Sequence, residues 1–321
     1  MGFKYHIDGT QEFGHNPINR FEYSFHMYMN TVKRLTNLYQ YASVQNLKGY
    51  VAHFCNIRLK SFDTLIKVVV EHKDYLSANC LLRMLGDSVA VFRLIYGEKD
   101  NDLMLLRHAL YVIDGCEDNL KVLPEEDINK GSVPENELQE ANKQIRFNRE
   151  HRQRLMREAQ EILDHSPLQV RNKKAFDRIV EDRNWKFKEF KEYKKKGSNQ
   201  YRWQELYELI DCCKYFDLLS YISQYVHSLS MSNLVIQMDE QNVHGIVAEA
   251  VGLIDRLHEY TLDFFDEEYQ YIMEGLLEPE MRDKILSYFD EQHCPDVLSW
   301  NQGVMNKIRE AHAMTSLHHH R

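Results

Sequence analysis

Residues 63–97 read DTLIKVVVEHKDYLSANCLLRMLGDSVAVFRLIYG, and this stretch decides the fold class. Its apolar residues recur at three- and four-residue spacing, the period of a helix with a buried face, and no proline interrupts them. It predicts two strongly apolar, centrally placed helices that meet near residues 74 and 75, with Gly97 closing the second as a C-cap. The same period runs outward along most of the chain. It predicts helices over 19–46, 48–74, 75–96, 102–122, 135–164, 171–196, 200–230, 243–275, 279–291 and 296–314.

The turn-forming residues agree. Only 13 glycines and 6 prolines occur in 321 residues, with no proline between Pro17 and Pro124 or between Pro167 and Pro279. Gaps of that length favour helix over turn-rich sheet, while Pro134 and Pro279 suit the first turn of a new helix. Hydrophobic residues make up 43% of the chain, enough for one large helical core or two smaller ones. The expected fold is all-α, a multi-helix bundle with an inserted basic helical hairpin. Its parts are an N-terminal half of the bundle (1–123), a polar linker and the hairpin (124–199), and a C-terminal half with acidic amphipathic helices (200–321).

No apolar run approaches the roughly 18–20 residues that span a bilayer, so no membrane partner is expected. The opening MGFKYHIDGT lacks a basic segment followed by an apolar core, and lacks the hydroxyl residue of a myristoylation signal. The six cysteines (Cys55, Cys80, Cys116, Cys212, Cys213 and Cys294) show no Cys-x-x-Cys spacing and read as reduced, buried thiols. A cytoplasmic protein is the expectation. The closing HHHR is given no metal role.

Charge is unevenly distributed. Between Lys143 and Arg202 stand 18 Lys and Arg against 9 Asp and Glu, on a chain whose net charge is −9. The segment also carries Phe147, Phe176, Trp185, Phe187, Phe190, Tyr193 and Tyr201, with Trp203 just beyond. Cations that neutralise phosphates beside rings that stack on unpaired bases would suit RNA or single-stranded nucleic acid. The candidate contacts are Trp185, Lys186, Lys188, Lys191, Lys194, Lys195, Lys196 and Arg202. The competing reading is a solvated helical hairpin, in which Trp185, Phe190 and Tyr193 form a buried stripe.

A polar constellation stands out against the apolar helices. Arg83 and Asp87 are four residues apart in LLRMLGDSVAVF, where an unpaired buried charge would be costly. In YFDLLSYISQYVHSLSMSN, residues 215–233, Ser223 and His227 share a face one turn apart, beside a stripe that includes Tyr215. The economical expectation is that Arg83 and Asp87 meet Ser223 and His227 across a helix–helix contact.

These segments resemble a bacterial all-helical family of unknown function. Its members carry a basic–acidic pair in an apolar helix, then a tyrosine-rich helix ending in Leu-Ser-x-x-x-His, matched here by Ser223 and His227. A tryptophan-containing, lysine-rich segment precedes that helix, as NWKFKEFKEYKKK does here. The resemblance covers about residues 50–235. Asp87 stands where glutamate is expected, and Ser228 where proline is frequent. A more distant analogy is to HEPN-type helical ribonucleases, whose Arg and His are separated by four to six residues in one segment, whereas His227 has no Arg at that spacing and Arg83 is far away in sequence.

For RNA cleavage, His227 would exchange protons, Arg83 would stabilise phosphorane charge beside Asp87, and Ser223 or Tyr215 would orient substrate. The alternative is a structural network within a non-enzymatic helical interaction module. A serine hydrolase is disfavoured, since no Gly-x-Ser-x-Gly turn occurs. Asp255/His258, Asp290/His293 and Glu161/His165 are helix-spaced pairs, but a di-iron set needs Glu-x-x-His from each of two helices, which the chain does not supply, and neither metal nor cofactor is expected. The acidic segment 257–280 reads as a helix with Leu262, Phe265, Tyr269 and Ile272 inward. Its acids could also neutralise the basic hairpin of a second copy, giving a homo-oligomer.

Overall fold

The computed structural model describes residues 17–129, 134–195, 197, 199–211, 220, 222–223 and 239–281. Its fold is all-α. Among the described residues there is no strand, only an isolated antiparallel bridge between Phe187 and Gln200.

The helices are α1 (Pro17–Leu38), α2 (Leu47–Lys67), α3 (Tyr75–Tyr96), α4 (Asn101–Val122), α5 (Glu135–Asp164), α6 (Leu168–Arg171), α7 (Lys173–Glu181), α8 (Trp203–Glu208), α9 (Glu240–Phe264) and α10 (Tyr269–Glu274). Local chemistry sets several of the boundaries. Asp100 caps α4 by accepting from the N–H groups of Asp102 and Leu103, and Asn172 caps α7 by accepting from Ala175. Asp239 and Asn242 form a reciprocal capping box at the start of α9. The helix predicted over 48–74 widens into a π-helical turn at Val68–His72, and Lys73 ends it in the left-handed region at φ 52°.

The chain divides into two units. The first comprises the described residues of 1–41, Val51–Arg93 and the described residues from Trp203 onward. In it α1 packs along α9. Phe21, Tyr28, Val32 and Leu35 of α1 are buried, as are Val247, Leu253, Ile254 and Leu257 of α9. Each of the aliphatic and phenylalanine side chains among them contributes on the order of 1.5–3 kcal/mol of burial. The second unit comprises Ala42–Tyr50 and Leu94–Arg202, with α4 packed along α5. Residues 94–123 thus group with the basic segment, and 51–93 with the C-terminal helices.

Two predicted helices are corrected. The helix expected over 171–196 stops at Glu181, and Arg183 adopts φ 50°. Residues 182–202 then follow an irregular path, because buried side chains claim their backbone groups, as detailed below. The helix expected over 200–230 is interrupted after α8, where Asp211 sits at φ 54°. Residues 279–281 are helical, whereas the rest of the predicted 279–291 helix and all of 296–314 lie outside the described residues.

Candidate functional site

Helix α3 presents Arg83 and Asp87 on one face, and Arg83 Nε donates to Asp87 Oδ1 at 2.9 Å. Arg83 Nη1 donates to Ser223 Oγ, so the expected meeting of these distant segments takes place at the serine. Tyr215 and His227, the other expected members, lie outside the described residues. The pair is partly solvated, with side-chain exposures of 17% for Arg83 and 30% for Asp87.

Tyr207 of α8 belongs to this cluster and was not singled out in the sequence. Its buried hydroxyl donates to Asp87 Oδ1 at 3.0 Å. The Arg83 guanidinium carbon lies 6.0 Å from the Trp203 ring centre and 5.8 Å from that of Tyr207, within cation–π range. Tyr207 reaches the carboxylate by crossing Gly86, where a Cβ would lie only 2.5 Å from its hydroxyl oxygen. A glycine inside an apolar helix costs about 1 kcal/mol relative to alanine, so Gly86 beside Asp87 was the available signal of a close approach.

Chemically, the arrangement is a tie. The guanidinium hydrogen-bonds a carboxylate and a hydroxyl while two rings flank it, and one carboxylate oxygen accepts from both Arg83 and Tyr207. These contacts join α3 to α8 and to the helical turn at Ser223.

The basic segment is organised around Arg107 of α4. Its Nη1 donates to the carbonyls of Trp185 at 3.2 Å and Phe187 at 2.8 Å, and its guanidinium carbon lies 3.8 Å from the Phe187 ring centre. These bonds tie the irregular backbone of residues 185–187 to α4. Burial lowers the Arg107 pKa from 12.5 to about 10, while nearby Glu98 acts in the opposite sense.

Two asparagines finish the fold of the segment. Asn199 Oδ1 accepts from the N–H groups of Lys188 at 2.8 Å and Glu189 at 2.9 Å, and its Nδ2 donates to the Glu189 carbonyl at 2.7 Å. Asn184 Nδ2 donates to the Asn199 carbonyl at 3.2 Å and to the Tyr193 hydroxyl at 3.0 Å. Tyr193 in turn donates to Asp182 at 2.7 Å, and burial raises its pKa.

The expected stacking role of Trp185 is corrected. Trp185 is only 6% exposed, and its Nε1 donates to Asp114 at 2.9 Å while the ring meets Tyr111 edge-on. Phe187, Phe190 and Tyr193 are buried as well. The rings do point inward, although they do so from an irregular loop and not from a helical stripe. Lys188, Lys191, Lys194, Lys195 and Arg202 are exposed and Lys186 is half-buried, while Lys196 lies outside the described residues.

Two of the three helix-spaced acid–histidine pairs lie within the described residues. Asp255 bonds Arg20 at 2.7 Å, and His258, fully buried, meets Thr31 Oγ1 at 2.8 Å. Glu161 is bonded by Gln45, and the His165 ring contacts the Glu161 carbonyl. Asp290 and His293 lie outside the described residues. Among the described residues no group of three or more His, Cys, Asp or Glu side chains is placed to hold a metal ion, and no helix is long and apolar enough to cross a membrane. In the acidic segment Leu262, Phe265 and Ile272 are buried and Tyr269 is half-buried.

No protein-family model, curated protein or solved structure matches the chain.

Proposed function

We propose that this protein is a non-catalytic nucleic-acid-binding factor that contacts phosphates through residues 186–202, and that its Arg83–Asp87–Ser223–Tyr207 cluster is structural. One observation carries the proposal. Lys188, Lys191, Lys194 and Lys195 are exposed on a segment whose backbone carbonyls and amides are bonded by Arg107 and Asn199 around residues 185–189, by Asn172 at Lys191 and by Arg178 at Lys194. Lysines on a fixed support can meet successive phosphates without first ordering a loop, which reduces the entropic cost of binding. The polar cluster fits a structural role because its guanidinium and carboxylate bind each other, a serine and a buried tyrosine.

Fluorescence anisotropy with labelled RNA over a salt series tests the proposal. The logarithm of the affinity is expected to fall linearly with the logarithm of the salt concentration. Combining Lys188→Glu, Lys191→Glu, Lys194→Glu and Lys195→Glu should reduce the magnitude of that slope by about 3, at roughly 0.7–0.9 for each phosphate no longer neutralised. An unchanged slope in a variant with wild-type circular dichroism refutes the assignment. RNA cleavage by wild type that disappears in Arg83→Ala, with the fold retained, refutes the structural role of the cluster.

A further inference from the structure

Granting that the lysine segment binds nucleic acid, we infer that its ligand is base-paired, a duplex recognised through its phosphate backbone and not through its bases.

Single-strand binders without sequence preference combine a basic track with open aromatic faces on which successive bases stack. Here the aromatic residues are present but turned away. Trp185, Phe187, Phe190 and Tyr193 are buried, and Phe187 lies against the Arg107 guanidinium. The ring of Tyr201 is half-buried, with the Lys188 ammonium 5.5 Å from its centre, and the Lys186 ammonium lies 5.3 Å from the centre of the Trp185 ring. The segment therefore offers ammonium groups where a single-strand binder offers ring faces.

Without stacking, affinity depends on the charge density of the ligand. A duplex packs its phosphates more densely than a single strand and releases more counterions per contact. Backbone contacts carry no base information, so binding should be insensitive to sequence.

Phe147 is the exception to this pattern, at 62% exposed. It lies on α5, where the neighbouring Arg146 pairs with Asp127 at 3.3 Å, and its ring stacks on His151 with centres 6.2 Å apart. Among the described Phe, Tyr and Trp rings of residues 143–203 it is the most exposed, which makes it the control.

The test compares three probes with equal numbers of phosphates: a perfect RNA hairpin, the corresponding DNA duplex and an unstructured oligouridine. Wild type, Phe147→Ala and the four-lysine reversal are titrated at one low salt concentration. The expected result is that at least one duplex binds about tenfold more tightly than oligouridine. Phe147→Ala should leave every affinity unchanged, and scrambling the paired sequence should have no effect. Comparing the two duplexes then shows whether the ligand is RNA or DNA. Oligouridine binding as tightly as the duplexes, or losing affinity in Phe147→Ala, overturns the duplex assignment while leaving phosphate binding intact. Absence of binding to all three probes, or binding that survives lysine reversal, overturns the underlying function as well.

Discussion

The Tyr207 hydroxyl fills the space that a side chain at Gly86 would occupy, only 2.5 Å from an added Cβ. Tyr207 is fully buried and bonded to Asp87, so it cannot swing aside without breaking that contact. Gly86→Ala should therefore destabilise the protein by about 1–3 kcal/mol, although alanine is the better helix former. Combining Gly86→Ala with Tyr207→Phe should recover part of the loss. Urea denaturation of the two single variants and the double variant measures the coupling, and strict additivity would show that the contact is not the cause.

Arg83 and Ser223 should be energetically coupled. Arg83→Ala and Ser223→Ala each remove one end of the bond between α3 and the turn at residue 223. A double-mutant cycle is expected to give a coupling of about 0.5–1.5 kcal/mol, a modest value because the guanidinium is partly solvated. A coupling near zero would place the two side chains apart in solution.

Loss of Arg107 should loosen the basic segment. Arg107→Met leaves the carbonyls of Trp185 and Phe187 without their donor and removes a cation from the Phe187 face. The expected cost is about 3 kcal/mol. Arg107→Lys should restore only part of it, since one ammonium nitrogen can donate to both carbonyls, as Nη1 does, but lacks the planar guanidinium that lies on the Phe187 ring. Limited trypsin digestion offers a second measurement, with faster cleavage among Lys186–Lys195 in both variants. Wild-type resistance in Arg107→Met would contradict the anchoring role.

Acid should destabilise the fold through two histidines. Burial lowers the pKa of His108 from 6.5 to about 4 and that of His258 to about 3. Both rings are neutral in the folded protein, while the unfolded chain takes up their protons near pH 6.5. The unfolded state then holds more protons, so stability falls as pH drops below about 6.5 and continues to fall through about 4 toward about 3. Each group contributes a slope on the order of 1 kcal/mol per pH unit. Above about pH 7 these groups add no pH dependence. Urea midpoints between about pH 7 and about pH 4 should show the decline, and His258→Gln should flatten it.

The helical class was legible because periodicity is a local property, and residues 63–97 display it without interruption. The Arg83–Ser223 contact was legible because a charged pair in an apolar helix calls for further polar partners. Tyr207 was not singled out, since its hydroxyl meets Asp87 by passing Gly86, and a steric approach across 120 residues leaves no periodic trace. The path of residues 182–202 was missed for a related reason. Lys, Glu and Phe at helical spacing favour a helix there, but Arg107 and Asn199 claim the backbone groups that a helix would need. Trp185 and its neighbours were assigned to the interior in one of the two sequence readings, but the buried cation that draws them inward lies 78 residues away.

The interleaving of the two units has a consequence for the order of folding. Residues 94–202 form a nearly continuous run, whereas α1 meets its partner α9 only after about two hundred intervening residues have been synthesised. Closing so long a loop is slow and entropically costly, while the short-range contacts of α4 and α5 form early. On the ribosome, the inserted unit can mature while the chain is still growing, and the apolar face of α1 must wait for the emergence of α9.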